Sequence, residues 1–394
     1  MLSVNDAIAT LLREARPLVG RERVDLLDGL GRTLAEDVVA AIDVPPGDNS
    51  AMDGYALRHA DWRGADTALQ LSQRVTAGSA PDPLQPGTAA RIFTGAEIPA
   101  GADTVVMQEN CEGEDAGVRI LQLPAAGANI RRRGQDITAG QRVLTAGRRL
   151  RSQDLGLAAS LGVAKISAYR RLKVAVLSTG DELVEPGETA GPGQIYNSNR
   201  FTMTGQLAAW GFDVVDLGIA RDRPEAVREK MLRAAEESDV IVTSGGVSVG
   251  EEDHVKNVVA SLGSLDLWRI AVKPGKPFAF GRVLDKPFIG LPGNPVSVFV
   301  TLLVVARPYL FACQGIAATR QQPLAAKSRF ARKGTTREDY LRVRSTPGGL
   351  ELFPNQSSGV LFSTCWGDGL VRQAAGKDID EGDLVDYLPF AVFD

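Results

Sequence analysis

The sequence predicts a multidomain protein of class α/β plus β, built on a doubly wound α/β ligand-binding domain over residues 172–320. Three observations carry this. Short apolar, β-branched runs such as residues 239–243 alternate with helical periods across that stretch, as in a mostly parallel sheet covered by helices. Residues 55–137 and the chain beyond Pro323 are instead rich in Pro, Gly and short apolar runs, the texture of small β-domains. And 394 residues are too many for one ordinary core.

Taken in order, Ser3 heads a predicted helix with Val4, Ala7, Ile8, Leu11 and Leu12 at helical spacing, and a second short helix is expected over 30–37. Val44 to Ala56 contains Pro45-Pro46-Gly47 and reads as a loop. Residues 47–140 form a β-rich inserted domain, with strands expected at 69–75, 89–93, 104–108 and 118–123. Residues 140–168 return to helical texture, with a helix after Ser152 that Gly162 can stop. Joined to the first helices, this makes a discontinuous helical spacer domain, 1–46 and 141–171. In the α/β domain, strands are expected at 173–177, 213–217, 239–243, 265–272, 278–280 and 287–291. Helices are expected at 199–210, after Pro224, from about residue 253, and from Asn294 or Pro295 to Gly315. Residues 321–394 form a small C-terminal β-barrel-like domain.

Composition narrows the function. The hydrophobic share is 44% and the charged share 23%, as in a soluble globular protein, and the formal charge is −4. A duplex binder normally carries a basic excess, so nucleic acid is not an expected partner. Neither is a membrane: no 18-residue apolar run and no charged leader before an apolar segment is read in the sequence. Cys111, Cys313 and Cys365 are scattered and odd in number, which suits a reducing, cytoplasmic location. With only His59 and His254 beside them, a structural zinc site is not expected.

Ligands of such sheets bind outside the carboxyl ends of the strands. Three polar, glycine-bearing loops fall there: Ser178-Thr179-Gly180-Asp181-Glu182, the run from Ser244-Gly245-Gly246 to Asp253, and Leu291-Pro292-Gly293-Asn294-Pro295. A strand running into Ser-Gly-Gly offers backbone N–H groups to an anion. Glu182 and Asp253 leave different strands at one rim. Each alone reads as a capping residue, and together they read as magnesium ligands facing phosphate oxygens. Asp222 either contacts ligand or caps the helix at Pro224. Lys273 and Lys276 bracket Pro274-Gly275 ahead of Pro277, with Arg269 close by, and restricted ammonium groups suit an oxyanion. Asp53 on its loop reads as a turn residue capping its own backbone, and Thr94 as a turn residue. Arg131-Arg132-Arg133 reads as a solvated loop able to attract an anion. Neither G-x-G-x-x-G after the first strand nor G-x-x-x-x-G-K-[ST] occurs, which disfavours a dinucleotide fold and a P-loop enzyme. No nucleophile–base set has distinctive spacing, so covalent catalysis is unsupported.

Six stretches resemble the MoeA-type molybdopterin molybdenumtransferases, the family that includes the E domain of gephyrin. They are Asn49-Ser50-Ala51-Met52-Asp53-Gly54-Tyr55-Ala56, Phe93-Thr94-Gly95, Ser178 to Leu183, Thr243 to Gly250, Lys273 to Pro277, and Gly290 to Ser297. They occur in family order across nearly the whole chain. The resemblance implies the last step of molybdenum cofactor synthesis. Adenylated molybdopterin is bound, molybdate is inserted, and AMP is released with Mg2+ present, in a homodimer whose site lies between subunits. It carries functional roles onto Asp53, Thr94, Asp136, Glu182, Asp222, Asp253 and Lys273, and molybdate contacts onto Ser297, Arg337 and Ser358. The molybdopterin adenylyltransferase and cofactor-accepting molybdoenzymes are implied partners. Departures are Arg269, where the family commonly has lysine, His254, where it often has tyrosine, and Gln135, where an acid often precedes Asp136. Two rivals share features: an adenylyltransferase on the same pterin, usually the α/β domain alone, and a peptide-binding scaffold.

Overall fold

The strand Lys173–Thr179 is buried at six of its seven positions, as a strand covered on both faces must be. It lies second in a six-stranded sheet whose order is Asp213–Ala220, Lys173–Thr179, Val240–Ser244, Lys286–Leu291, Pro277–Val283 and Gly263–Arg269. The first four strands are parallel, and the last two are antiparallel at one edge. Helices Pro224–Glu237 and His254–Leu262 cover one face, where Val227, Met231 and Val259 join Leu177, Ile241 and Phe288. On the other face Met203 and Leu207 of Ser198–Ala209 meet Val176, Val242 and Ile289, together with the helical segment from Pro295. The sheet is doubly wound, as the alternation predicts.

The structure is a computed structural model that describes residues 1–113, 117–246, 254–317 and 319–393. The chain forms two units: Met1–Glu36, Ala146–Arg151 and Ile166–Asp394 in the larger, and Asp37–Thr145 with Ser152–Lys165 in the smaller.

In the larger unit, Ser3 caps the helix Val4–Glu14 by accepting from the Asp6 N–H at 3.1 Å. The helical segment Pro295–Cys313 corrects the sequence reading. Although polar residues interrupt it, it is long and apolar enough to cross a membrane by length and composition, but 89% of its apolar window is buried within the protein. It is a core helix. Its middle, Leu302–Ala306, is π-helical, next to Pro308, which has no N–H to give to the preceding turn. Arg307 is buried there, donating to Phe393 O at 2.8 Å and stacking 3.8 Å over Phe311. The C-terminal strands run in the order Leu324–Lys327, Leu384–Pro389, Gly369–Gln373, Glu338–Thr346, with Gly349–Leu352 on the last. A bridge from Ser328 to Leu350 closes them into a barrel-like sheet.

One helical expectation fails, and the helix expected after Ser152 is found. Residues 30–37 are not helical: Gly31 takes φ +72°, and Thr33 and Leu34 pair with Arg149 and Ala168 as extended bridges. Leu30 and Leu34 have helical spacing, but distant partners override it. Within 140–168 the helix is confined to Ser152–Ser160, while Arg142–Leu144 and Lys165–Tyr169 are strands.

The smaller unit is built on a six-stranded sheet in the order Thr104–Met107, Gly54–Leu57, Thr88–Ile92, Ala68–Val75, Gly117–Ile120, Cys111–Glu112. The expected loop from Val44 to Ala56 contains a short strand, Asn49–Ser50, paired with Ile130–Arg131, before the strand Gly54–Leu57 begins. Two arginines expected to be solvated are committed to acids. Arg133 Nε donates to Asp43 at 2.5 Å, and Arg132 Nη1 to Asp48 at 2.6 Å. Backbone N–H groups complete both sites, Ala139 on Asp43 and Arg133 on Asp48, each at 2.8 Å. These backbone donors, then the arginines, hold both carboxyls below their ordinary value of 3.8. The unfolded chain therefore binds more protons than the folded one as these groups titrate. Their stabilisation is present above pH 3.8 and is lost as pH falls through the lower folded values. Acid unfolding followed by circular dichroism should show this, and Asp48→Asn should flatten the loss; an unchanged acid profile would count against it.

Candidate active site

Strand register levels the rim. Ser178 pairs with Ser244, Ser244 with Leu291, and Thr179 with Ala220, so four parallel strands end together. The three loops expected at one rim therefore start side by side, and residues 247–253 of the middle one lie outside the described residues. Gly245 and Gly246 take φ +88° and +64°, and a Cβ on Gly245 would lie 2.9 Å from Thr179 O. Only glycine fits that approach. Not every expected anion donor is available, because the Gly245 N–H is bonded to Leu291 O at 3.2 Å. The Ser178 and Ser244 hydroxyls are buried and face each other at 3.3 Å, so they brace the rim from beneath. Pro292 is buried, while Asn294 is exposed and caps nothing with its side chain. Asn199 Nδ2 donates to Gly293 O at 2.7 Å, joining the start of Ser198–Ala209 to this loop.

The rim acids differ. The Asp222 N–H donates to Asp181 Oδ1 at 3.1 Å, which ties the loop bearing Glu182 to the loop bearing Asp222. The helix Pro224–Glu237 is capped at Arg223 without a side-chain bond, so Asp222 does not cap it, and its exposed carboxylate has no hydrogen-bond partner among the described residues. Glu182 is exposed, and its carboxylate lies over Gly180, where a Cβ would collide with it. It has no hydrogen-bond partner among the described residues. An unpartnered, solvent-facing carboxylate of this kind fits a hard cation such as magnesium. Asp253 lies outside the described residues. Among the described residues no group of three His, Cys, Asp or Glu side chains could hold a metal.

A second cluster forms where the α/β domain meets the C-terminal sheet. Val272–Lys273 pairs in parallel with Glu338 and Asp339. Lys273 Nζ lies 3.5 Å from Asp339 Oδ2, and Arg332 lies 3.2 Å from the same oxygen. Arg337 Nη1 donates to Val272 O at 3.1 Å, beside Lys273. Gly275 takes φ +114° against Thr301, and Thr301 donates to Ser297 O at 2.7 Å. The Val296 N–H donates to Ser358 O at 3.0 Å. Thus the side chains of Lys273 and Arg337 and the backbone carbonyls of Ser297 and Ser358 lie around one turn, and the Ser297 side chain is buried. Buried Arg342 anchors the Ser358 loop through Ser357 O at 3.2 Å, and burial pushes its guanidinium down to about 10, still charged at neutral pH. Lys276 is exposed, and its Nζ has no partner among the described residues; its carbonyl accepts from Ile270 at 2.9 Å. Arg269 is exposed, opposite Pro277.

In the smaller unit, Asp53 does not cap its own backbone. It accepts from the Thr94 N–H at 2.7 Å and the Thr94 hydroxyl at 2.8 Å. These bonds, the backbone one first, hold its carboxyl below the usual range. Asp136 is exposed, and its N–H donates to Val44 O at 3.0 Å.

Three family models match: MoeA N-terminal region (domain I and II) over residues 2–162, probable molybdopterin binding domain over 175–312, and MoeA C-terminal region (domain IV) over 325–390. The molybdopterin molybdenumtransferase of Haemophilus influenzae is 41% identical over 346 residues, 87% of this chain and 85% of its own length. That of Synechococcus elongatus is 35% identical over 394 residues, covering 96% of each chain. The chain belongs to the MoeA family. The crystal structure of the molybdopterin biosynthesis MoeA protein from Pyrococcus horikoshii superposes at TM-score 0.82 with 31% identity over 99% of each chain. As a MoeA protein the chain is a transferase of molybdenum cofactor biosynthesis. The match to the molybdopterin binding domain contains the rim and the Lys273 turn, while Arg337 and Ser358 come from the MoeA C-terminal region.

Sequence reasoning missed Asp339, Arg332 and Gln373. Asp339 is 1% exposed with Oδ1 unpartnered, and Gln373, opposite it on Gly369–Gln373, is buried with Oε1 unpartnered. An acid leading directly into the apolar pair Tyr340-Leu341 was the available signal, but its partners lie on other segments. The Gly275 turn is testable on stability alone. Gly275→Ala needs a strained φ and collides with Thr301, so it should lose about 1–3 kcal/mol. Gly293→Ala, whose Cβ meets nothing within 4 Å, should lose far less. Equal denaturation midpoints for the two variants would contradict the turn's role.

Proposed function

We propose that this transferase inserts molybdate into adenylated molybdopterin and releases AMP with Mg2+ present, as a cytoplasmic homodimer whose site is shared between chains. The observation that carries the reading is the meeting of the Lys273 and Arg337 side chains at the Gly275 turn, beside the backbones of Ser297 and Ser358. Molybdate is a tetrahedral dianion, and two cationic side chains at one turn are suited to bind one. The level rim, with its close-packed glycines, supports a binding place for the nucleotide and pterin parts of the ligand.

Glu182, with Asp253, would hold the magnesium, and Asp222 faces the same loop. When bound, the ion supplies positive charge against the phosphate oxygens. The chain's own groups orient the ligand: Lys273 and Lys276 draw the oxyanion, and Asp53, fixed by Thr94, presents a carboxylate that stays ionised at neutral pH. The molybdopterin adenylyltransferase and the cofactor-accepting enzymes are the proposed macromolecular partners. AMP release, rather than transfer of AMP from ATP, separates this reading from the adenylyltransferase one. Ligand-free capture of a peptide would favour the scaffold.

Lys276→Ala should raise the molybdate concentration needed for half-maximal AMP release by about tenfold or more, the scale of a lost charge-assisted hydrogen bond. Its thermal midpoint should hardly move, because the ammonium has no protein partner among the described residues. Lys273→Ala should show the same kinetic effect together with lowered stability, since it leaves Asp339 with one cation fewer. Unchanged molybdate dependence in both variants would return the lysines to a solvated turn.

The shared site has its own test. Mixed dimers of Asp53→Ala and Lys273→Ala subunits should regain part of the activity missing from each homodimer. Verified mixed dimers with no recovery would sink it.

A further inference from the structure

On one face of the smaller unit's sheet, Tyr55, Arg91 and Arg74 stand in register across three strands, Gly54–Leu57, Thr88–Ile92 and Ala68–Val75. They line a cleft of about 430 Å³ together with Phe93 and Ser72. Both guanidinium groups stack on Phe93, with Arg74 Cζ 4.7 Å and Arg91 Cζ 4.8 Å from the ring centroid, and Arg91 also lies 5.0 Å from the centre of Tyr55. Two like charges directly opposite each other on neighbouring strands repel. Among the described residues no carboxylate pairs with either. Arg91 donates to the neutral acceptors Gly54 O at 3.0 Å and Gln108 Oε1 at 2.7 Å. Arg74 is exposed, its guanidinium lies against the Phe93 ring, and among the described residues no acceptor bonds it. Asp53, whose carboxylate feels the Arg91 charge, is already held by Thr94.

The ring contacts hold both guanidinium groups against Phe93, and the N–H donors of Arg74 meet no acceptor among the described residues. That planar fork matches a tetrahedral oxyanion bidentately, and the anion relieves the repulsion between the two cations. The aromatic faces are already covered by the arginines, so the cleft recognises charge rather than a second ring. Its volume lies within the range of small-ligand sites and leaves room for an esterified phosphate. We propose that this cleft is an oxyanion site of the phosphate class, with the anion held between Arg74 and Arg91. The anion is either free or the phosphoryl group of a larger ligand.

The site is tested by calorimetric titration of the full-length protein, in a Lys273→Ala/Lys276→Ala background that removes the competing cations. Inorganic pyrophosphate and AMP are the probes, titrated at low salt. At least one should bind, and adding Arg74→Gln should weaken it about tenfold or more, with Arg74→Lys in between because it keeps the charge and loses the fork. Arg74 is exposed and bonds to no protein acceptor among the described residues, so the variants should melt at the parent temperature. Binding of AMP alone assigns an ester ligand, and binding of pyrophosphate alone assigns a free anion. Binding of neither probe, or equal affinity with and without Arg74→Gln, overturns the proposal. AMP release is not the readout, so the transferase reading and the cleft can fail independently.

Discussion

Asp339 is a carboxylate with almost no contact with water, and the Lys273 cluster depends on how it is neutralised. Removing such a group from water costs several kcal/mol unless cations and hydrogen bonds replace the solvent. Lys273 and Arg332 both lie on Oδ2, while Oδ1 and the facing Gln373 Oε1 have no donor among the described residues. Two cations more than neutralise the one acid, but the hydrogen bonding within the protein is incomplete, and a buried unmet acceptor is unfavourable by about 1–3 kcal/mol. The arrangement is therefore a poor source of stability and a good source of position. It links Val272–Lys273, at the end of the α/β domain, to a strand of the C-terminal sheet. Arg337, two residues before Asp339, is brought to Val272 O by the same pairing.

The rim rests on a different constraint, the parallel register. With Ser178, Ser244 and Leu291 aligned, the loops leave at one height, and their backbones must pass within van der Waals distance. Glycine at 245 and 246 is the consequence, because a side chain at either would strike Thr179 O or Val255. The hydroxyls of Ser178 and Ser244 face each other below the rim, while loop residues such as Glu182, Asp222 and Asn294 reach solvent.

Much of this was legible in the sequence, for identifiable reasons. A strand buried on both faces is a continuous apolar run, and Val240–Ser244 stands out from the helices around it. Strand exits then locate the ligand loops without any contact being known. What was hidden depends on distant pairing. Asp53 and Thr94 are 41 residues apart, and only the folded sheet shows that one holds the other. Asp339 meets Lys273 through a register no local pattern encodes. The expected helix at 30–37 fails for the same reason, since its extended partners Arg149 and Ala168 lie far along the chain.

Charge density along the chain is a weak guide to anion binding, and this protein shows why. Arg131-Arg132-Arg133 is the densest cationic run singled out, yet Arg132 and Arg133 are matched by Asp48 and Asp43. Lys276 and Arg74, neither in a run of consecutive cations, have no matching acid among the described residues. An ion pair already made must be broken before a ligand can use the cation, whereas an unmatched cation gives its full interaction to the ligand. What selects an anion is thus the folded partnership of each cation rather than how many lie together in the chain. A protein with a formal charge of −4 can present attractive sites for oxyanions, provided its acids are placed against other cations.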